Sequence, residues 1–213
     1  MKRFRFSIAI AILVFVTAAY VLGWSTFFTV SSVQVTGTKT LLTTDITIGE
    51  RLARVEPRSI VAKLERIKWI KRVEVSRNWI SGKVDIAITE RTPIAIFKEQ
   101  VIDEEGASFP ILNQNIQGLP HIQAKDIDSA ITATYFYNSL PKDFANSITT
   151  LKVQTGDSYT IEMTRDKKSI ELMWGQDSEN RLKIRVYKAL IARPENIEII
   201  RIDLSAPHAP IVK

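Results

Sequence analysis

Residues 48–79 read IGERLARVEPRSIVAKLERIKWIKRVEVSRNW, and residues 84–97 continue as VDIAITERTPIAIF. Pro57 suits the first turn of a helix, and Ile60, Val61, Leu64 and Ile67 then recur at spacings that share one helical face. That face needs a sheet to cover. Val73 and Val75 alternate on one strand and Val84, Ile86 and Ile88 on the next, with Asn78 to Gly82 as the connecting loop. Upstream, Phe28, Val30, Val33 and Val35 predict an extended segment with an irregularity at Ser31-Ser32 and a stop at Gly37. Between the two, Thr43-Thr44-Asp45 offers capping oxygens to a short helix that Gly49 would end. The predicted order is strand, helix, helix, strand, strand, with both helices on one face of the sheet.

Downstream, Ile94 to Phe97 and Val101-Ile102 are extended apolar pieces. Ile127, Ala130, Ile131, Thr134 and Tyr135 form a helical stripe ending before Pro141. Strands are predicted at Ile148 to Val153, Tyr159 to Met163 and Ser169 to Met173, with turns at Gly156-Asp157 and Asp166-Lys167-Lys168. Ser178 is the expected cap of a helix carrying Leu182, Val186, Tyr187 and Leu190, and Pro194 its stop. Ile197 to Leu204 reads as the last long strand. The expectation is a mainly antiparallel sheet with two flanking helices, beginning near Thr92-Pro93.

At the other end, residues 6–24 read FSIAIAILVFVTAAYVLGW without a charge. As a helix rising about 1.5 Å per residue this run spans roughly 28 Å, close to the hydrocarbon thickness of a bilayer. Lys2, Arg3 and Arg5 precede it, and no charge follows until Lys39, so the positive-inside rule puts the N-terminus in the cytoplasm. Tyr20 and Trp24 fit the outer interface. A cleaved signal peptide is the competing reading. The run is longer than a usual signal core, and Thr17-Ala18-Ala19 is followed by more apolar residues, which favours a retained single-pass anchor.

Half of the net charge of +6 comes from those three N-terminal cations, so the basic balance is no argument for a nucleic-acid surface. The chain has no cysteine, which removes disulfides, thiol nucleophiles and Cys-type zinc sites. The two histidines, His121 and His208, stand far apart with nothing spaced to make a triad or ligand pair. Asp103-Glu104-Glu105 precedes Gly106 and reads as a solvated turn. Trp69 and Trp79 flank a predicted strand, where core packing is the default role. These residues give no basis for a catalytic centre, a cofactor, a metal ion or a small-molecule substrate.

The quoted stretch resembles the POTRA domain of the bacterial cell-division family FtsQ/DivIB. The resemblance rests on Gly49 and Leu52, Trp69, Arg77 and Trp79, and Glu90, Arg91 and Pro93, with Ile80 standing where the family usually has proline. It continues through Val101, Asp103 and Gly106, Leu119-Pro120, Trp174-Gly175, Lys183, and Ile202-Asp203-Leu204-Ser205 with Pro207 and Pro210, an ending similar to that of actinobacterial members. The implied organisation is α+β: a cytoplasmic tail (1–5), a transmembrane helix (6–24), a β-α-α-β-β POTRA domain (28–92), a mainly antiparallel β domain (93–205), and a tail or short edge strand (206–213).

A terminal strand leaves backbone N–H and C=O groups that a partner strand can satisfy, and Ala209 to Val212 after Ile202 to Ser205 is placed to do so. The resemblance implies the same location, because FtsQ-like proteins hold the coiled-coil membrane division proteins FtsB (DivIC in many Gram-positive bacteria) and FtsL through their last strands. The expected contact residues are Ile202, Leu204, Ala209, Ile211 and Val212. The expected role is a non-enzymatic scaffold at the division septum, anchored in the cell membrane with its domains outside. The alternative is another membrane-anchored POTRA module that docks secreted or envelope polypeptides.

Overall fold

The computed structural model describes residues 8, 10–17, 19–20, 28–112, 114–165 and 168–213. Lys2, Arg3 and Arg5, part of the 6–24 run and the turn at Asp166-Lys167 lie outside them. Residues 8, 10–17 and 19–20 are helical and exposed, with Phe15 77% accessible. Among the described residues no helix is long and apolar enough to cross a membrane. Contacts divide the chain into two compact units between Arg91 and Thr92.

In the first unit, β1 (Ser32–Thr36) pairs in parallel with β3 (Lys83–Glu90), and β3 pairs antiparallel with β2 (Ile70–Asn78), giving the order β1-β3-β2. The period-2 alternation places Val73, Val84, Ile86 and Ile88 on one face, all buried. Helix α1 (Pro57–Leu64) covers that face with Leu64 buried and Ile60 and Val61 half-buried, and its Pro57 sits in the first turn as read. Trp69 is buried, 7% exposed. Gly37 follows β1 at φ +85°, where a Cβ would stand 1.9 Å from the Ile88 carbonyl oxygen. Only glycine fits so close an approach.

The short helix expected after Thr43-Thr44-Asp45 does not form; residues 41–47 are irregular and 48–50 turn. The backbone of the following segment is bonded elsewhere. Val30 donates to the Glu50 carbonyl (2.7 Å), Gly49 to Val30 (2.8 Å) and Leu52 to Phe28 (3.0 Å), so residues 49–52 run alongside 28–30 instead of coiling. Thr43, Thr44, Ile46, Thr47 and Ile48, all β-branched, also favour extended backbone. The unit's described order is therefore β-α-β-β.

The second unit is built on a nine-stranded mixed sheet, order β12-β11-β10-β9-β8-β7-β4-β5-β6. The strands are β4 (Pro93–Phe97), β5 (Gln100–Asp103), β6 (Ser108–Pro110), β7 (His121–Gln123), β8 (Ile148–Gln154), β9 (Ser158–Arg165), β10 (Lys168–Gln176), β11 (Arg201–Asp203) and β12 (Ile211–Val212). Most pairs are antiparallel; β4/β7, β7/β8 and β10/β11 are parallel. Each parallel pair is joined by a crossover, which β7/β8 makes with α2 (Ile127–Ser139) and the short α3 (Lys142–Ala145), and β10/β11 with α4 (Asn180–Ile191). Helices α2 and α4 bury Ala130, Ala133, Phe136, Ile184 and Tyr187 in one core with Leu151, Ile161, Leu172, Trp174 and Ile202. The Asp126 carboxylate caps α2 by accepting from the Ser129 N–H (2.8 Å).

Two further expectations are corrected. Ser178 does not cap α4; the N-cap is Glu179 in a left-handed conformation, φ 52°, with no side-chain cap bond. The long strand over Ile197 to Leu204 shrinks to Arg201–Asp203, because the preceding backbone is used in turns. A 3-10 turn spans Pro194–Asn196, Ile197 and Ile199 donate to the carbonyls of Pro194 and Asn196, and the buried Asn196 amide donates to the Leu190 carbonyl (2.9 Å).

Candidate partner-binding edge

Strand β12 is the outermost strand of the large sheet, held antiparallel to β11 with Ile202 opposite Val212 and Asp203 opposite Ile211. Lys213 donates to the Arg201 carbonyl (2.9 Å) and its own carbonyl accepts from Arg201 (3.1 Å). Backbone groups alternate sides along a strand, so Lys213 and Ile211 face β11 while the N–H and C=O of Val212 face outward. Pro210 has no N–H to add. The free edge thus offers one donor and one acceptor at Val212, flanked by exposed apolar side chains: Ile211 is 57% and Val212 38% accessible.

The other expected contact residues fall differently. Ile202 and Leu204 are both 0% exposed and belong to the core. The resemblance puts them at the partner edge through their place in the last strands, but their side chains pack into one core with Ile184 and Tyr187 of α4. Ala209 is exposed, in the turn before β12, where its N–H donates to the Ala206 carbonyl (3.0 Å). Exposed Ile197 and Ile200 lie in the segment leading into β11, and the Ile200 N–H donates to the Lys213 carbonyl (3.2 Å). The sequence reading had assigned both to a strand and missed them as surface residues.

Support for the edge comes from β10. Leu204 donates to the Met173 carbonyl (2.8 Å), and Gly175 at φ +74° lies so close to Ser205 that a Cβ would be 3.0 Å from the Ser205 Cβ. Asp203 fixes the turn by accepting from the Ser205 N–H (2.9 Å) and hydroxyl (2.6 Å). His208 reaches Glu179 at 3.4 Å, tying the tail to the start of α4. Behind Trp174, Lys183 is 1% exposed, donates to the Gln176 carbonyl (2.8 Å) and stands 5.5 Å from the Trp174 ring centroid. Burial pushes the Lys183 ammonium below its ordinary pKa, while Glu179 and Asp177 pull it back upward. The indole of Trp174 donates to Asn180 (3.0 Å), which completes the join between β10 and α4.

On the sheet face opposite the helices, Glu162 and Glu171 are direct cross-strand neighbours, a repulsive pair by itself. Lys152 bonds Glu162, and Arg201 bonds Glu171 at 2.7 Å, so the row is neutralised from both ends. The hydrogen bond from Lys152 holds the Glu162 carboxyl below its ordinary pKa.

Residues once considered for chemistry are accounted for structurally. Asp103 is buried instead of solvated, accepting from the N–H groups of Glu105 (3.0 Å) and Ala107 (2.8 Å) to shape the turn before Gly106. His121 lies exposed at the start of β7. Among the described residues no group of three or more acidic or histidine side chains is placed to hold a metal ion.

Residues 28–91 match the POTRA domain of FtsQ type, and residues 95–205 match the C-terminal region of the cell division protein FtsQ/DivIB family. The chain belongs to the FtsQ/DivIB family. Among named relatives, the cell division protein FtsQ of Streptomyces collinus is 26% identical over 238 aligned positions, covering 98% of this chain and 88% of the relative. The FtsQ of Streptomyces venezuelae is 26% identical over 209, covering 87% and 74%. That of Alcanivorax borkumensis is 23% identical over 150, covering 68% and 57%. Strand β11 therefore stands at the end of the matched FtsQ/DivIB C-terminal region, and β12 follows just beyond it.

Proposed function

We propose that this FtsQ/DivIB family member is a non-enzymatic scaffold of the division machinery, anchored in the membrane by residues 6–24 with its two folded units on the extracytoplasmic side. It collects small coiled-coil membrane proteins of the FtsB/DivIC and FtsL type at the septum, and the exposed edge of β12 is where it holds them. The observation that carries this reading is the outward N–H and C=O of Val212 beside exposed Ile211, at the end of a sheet with a fully packed core. A partner strand aligned there gains main-chain hydrogen bonds and an apolar contact together.

The test follows from which residues are core. Removing everything after Asn196 would delete buried Ile202 and Leu204 and expose the sheet interior, so loss of binding would be uninformative. Val212→Pro removes the outward donor while keeping an apolar side chain there, and Ile211→Asp places a charge on the exposed side chain. Tagged full-length chain carrying either change is purified from membranes and bound proteins are identified by mass spectrometry. Removing one neutral hydrogen bond, worth about 1 kcal/mol, predicts roughly five-fold less partner for Val212→Pro. Ile211→Asp is expected to lose more. Unchanged capture by both variants moves the binding site away from this edge.

A further inference from the structure

We infer that the tip of the β2–β3 hairpin, Trp79-Ile80, is a second membrane contact that seats the POTRA unit on the outer face of the lipid bilayer. The inference rests on the proposed anchor at residues 6–24. The occupant is a lipid surface, because the tip packs on residues 28–31, which begin four residues after that anchor in the sequence.

Phe28 stands four residues after Trp24, the last residue of the apolar run. Whatever path residues 25–27 take, four residues extend the chain by no more than about 14 Å. Phe28 packs edge-on against Trp79, ring centroids 6.1 Å apart. The tip is pinned to the same segment at three further points. Ser31 donates its N–H to the Gly82 carbonyl (2.9 Å) and its hydroxyl to the Ser81 carbonyl (2.7 Å). Gly82, at φ +72°, lies against the chain so closely that a Cβ would be 2.4 Å from the Thr29 carbonyl oxygen. The hairpin tip and residues 28–31 are therefore held together, and that segment begins four residues after the apolar run.

The chemistry of the tip matches an interface. Ile80 is 99% exposed, and its backbone N–H is already bonded to the Asn78 side chain (3.0 Å), so no internal packing explains the isoleucine. Trp79 beside it is half-buried, its ring held by Phe28 and by the Arg77 guanidinium 5.2 Å from its centroid. Arg77 is itself fixed by bonds to the carbonyls of Leu52 (2.9 Å) and Val55 (2.6 Å). An indole flanked by a free aliphatic side chain and a cation is the composition favoured at the headgroup level.

The absence of cysteine allows single-site labelling of the full-length chain in lipid vesicles. Ser81→Cys, carrying an environment-sensitive fluorophore, leaves Trp79 and Ile80 in place; Val14→Cys reports the apolar run. Lipids with a nitroxide near the headgroup are the quenchers for position 81, and lipids with a deep nitroxide for position 14. The expected result is quenching at 81 that falls at least about three-fold when Ile80→Asp is added, since a carboxylate is expelled from the interface. Quenching at 14 with none at 81 overturns the inference while the anchor stands, and it is also what a tip that docks on another protein would give in vesicles holding this chain alone. Quenching at 81 that ignores Ile80→Asp overturns it too, as mere proximity. No quenching at either position overturns the anchor and the inference together.

Discussion

Replacing Lys183 with methionine should cost this protein almost nothing at neutral pH, although the lysine is buried and bonded. The change removes one ion-to-carbonyl hydrogen bond, worth about 1.5–3 kcal/mol, and the contact with the Trp174 face, worth about 1–2 kcal/mol. It also removes the cost of holding an ammonium out of water without a bonded carboxylate, several kcal/mol for a buried ion. The two sides are of equal size, so the net change is within about 1 kcal/mol. Gln176 is not orphaned, since its carbonyl also accepts from the Ser178 N–H (2.8 Å). Lys183→Ala differs: it removes the same charge but leaves the space of the stem empty, at a cost of about 2–4 kcal/mol. The pH dependence separates the explanations. The folded-state pKa lies below the ordinary value of 10.5, so in the interval between them the unfolded chain binds more protons than the folded one. Stability of the native protein therefore rises with pH across that interval, and the methionine variant lacks the rise. Hydrogen exchange of residues 158–176, which report the opening of β9 and β10, measures both effects. Destabilisation by methionine of more than about 3 kcal/mol, or an identical alkaline limb in both proteins, would refute the reasoning.

Two further outcomes are expected. Gly37→Ala must place a Cβ against the Ile88 carbonyl at φ +85°, costing at least about 2 kcal/mol and loosening β1 from β3; faster amide exchange confined to residues 28–91 is the check. Lys152→Met should flatten the acid limb of stability in the second unit: the lowered pKa of Glu162 means its contribution is present above the unfolded carboxylate pKa and is lost as pH falls through the folded value, and amide exchange of residues 148–165 followed through an acid titration reads the difference.

The sequence alone determined the elements whose signals are local. Pro57 with Ile60, Val61 and Leu64 placed α1, and the alternation through Val84, Ile86 and Ile88 placed β3, because helical and strand periods are written in consecutive side chains. The same holds for the helix after Asp126 and the strands around Ile161 and Leu172. Tertiary structure decided what consecutive residues cannot encode. Residues 43–49 carry capping oxygens and a terminal glycine, yet the backbone hydrogen bonds between residues 28–30 and 49–52 kept the chain extended. Ile197 to Leu204 is apolar enough for a strand, but the buried Asn196 and its turn consumed the first half. Above all, Ile202 and Leu204 stand in the last strands, where the resemblance implies partner contacts, and only the tertiary packing makes their side chains core. A period of two states that one face of a strand differs from the other. Which face meets water, and which strand stands last in the sheet, depends on partners distant in sequence. That dependence takes Ile202 and Leu204 out of the expected contact set and leaves the backbone of Val212 and the side chain of Ile211 at the exposed edge.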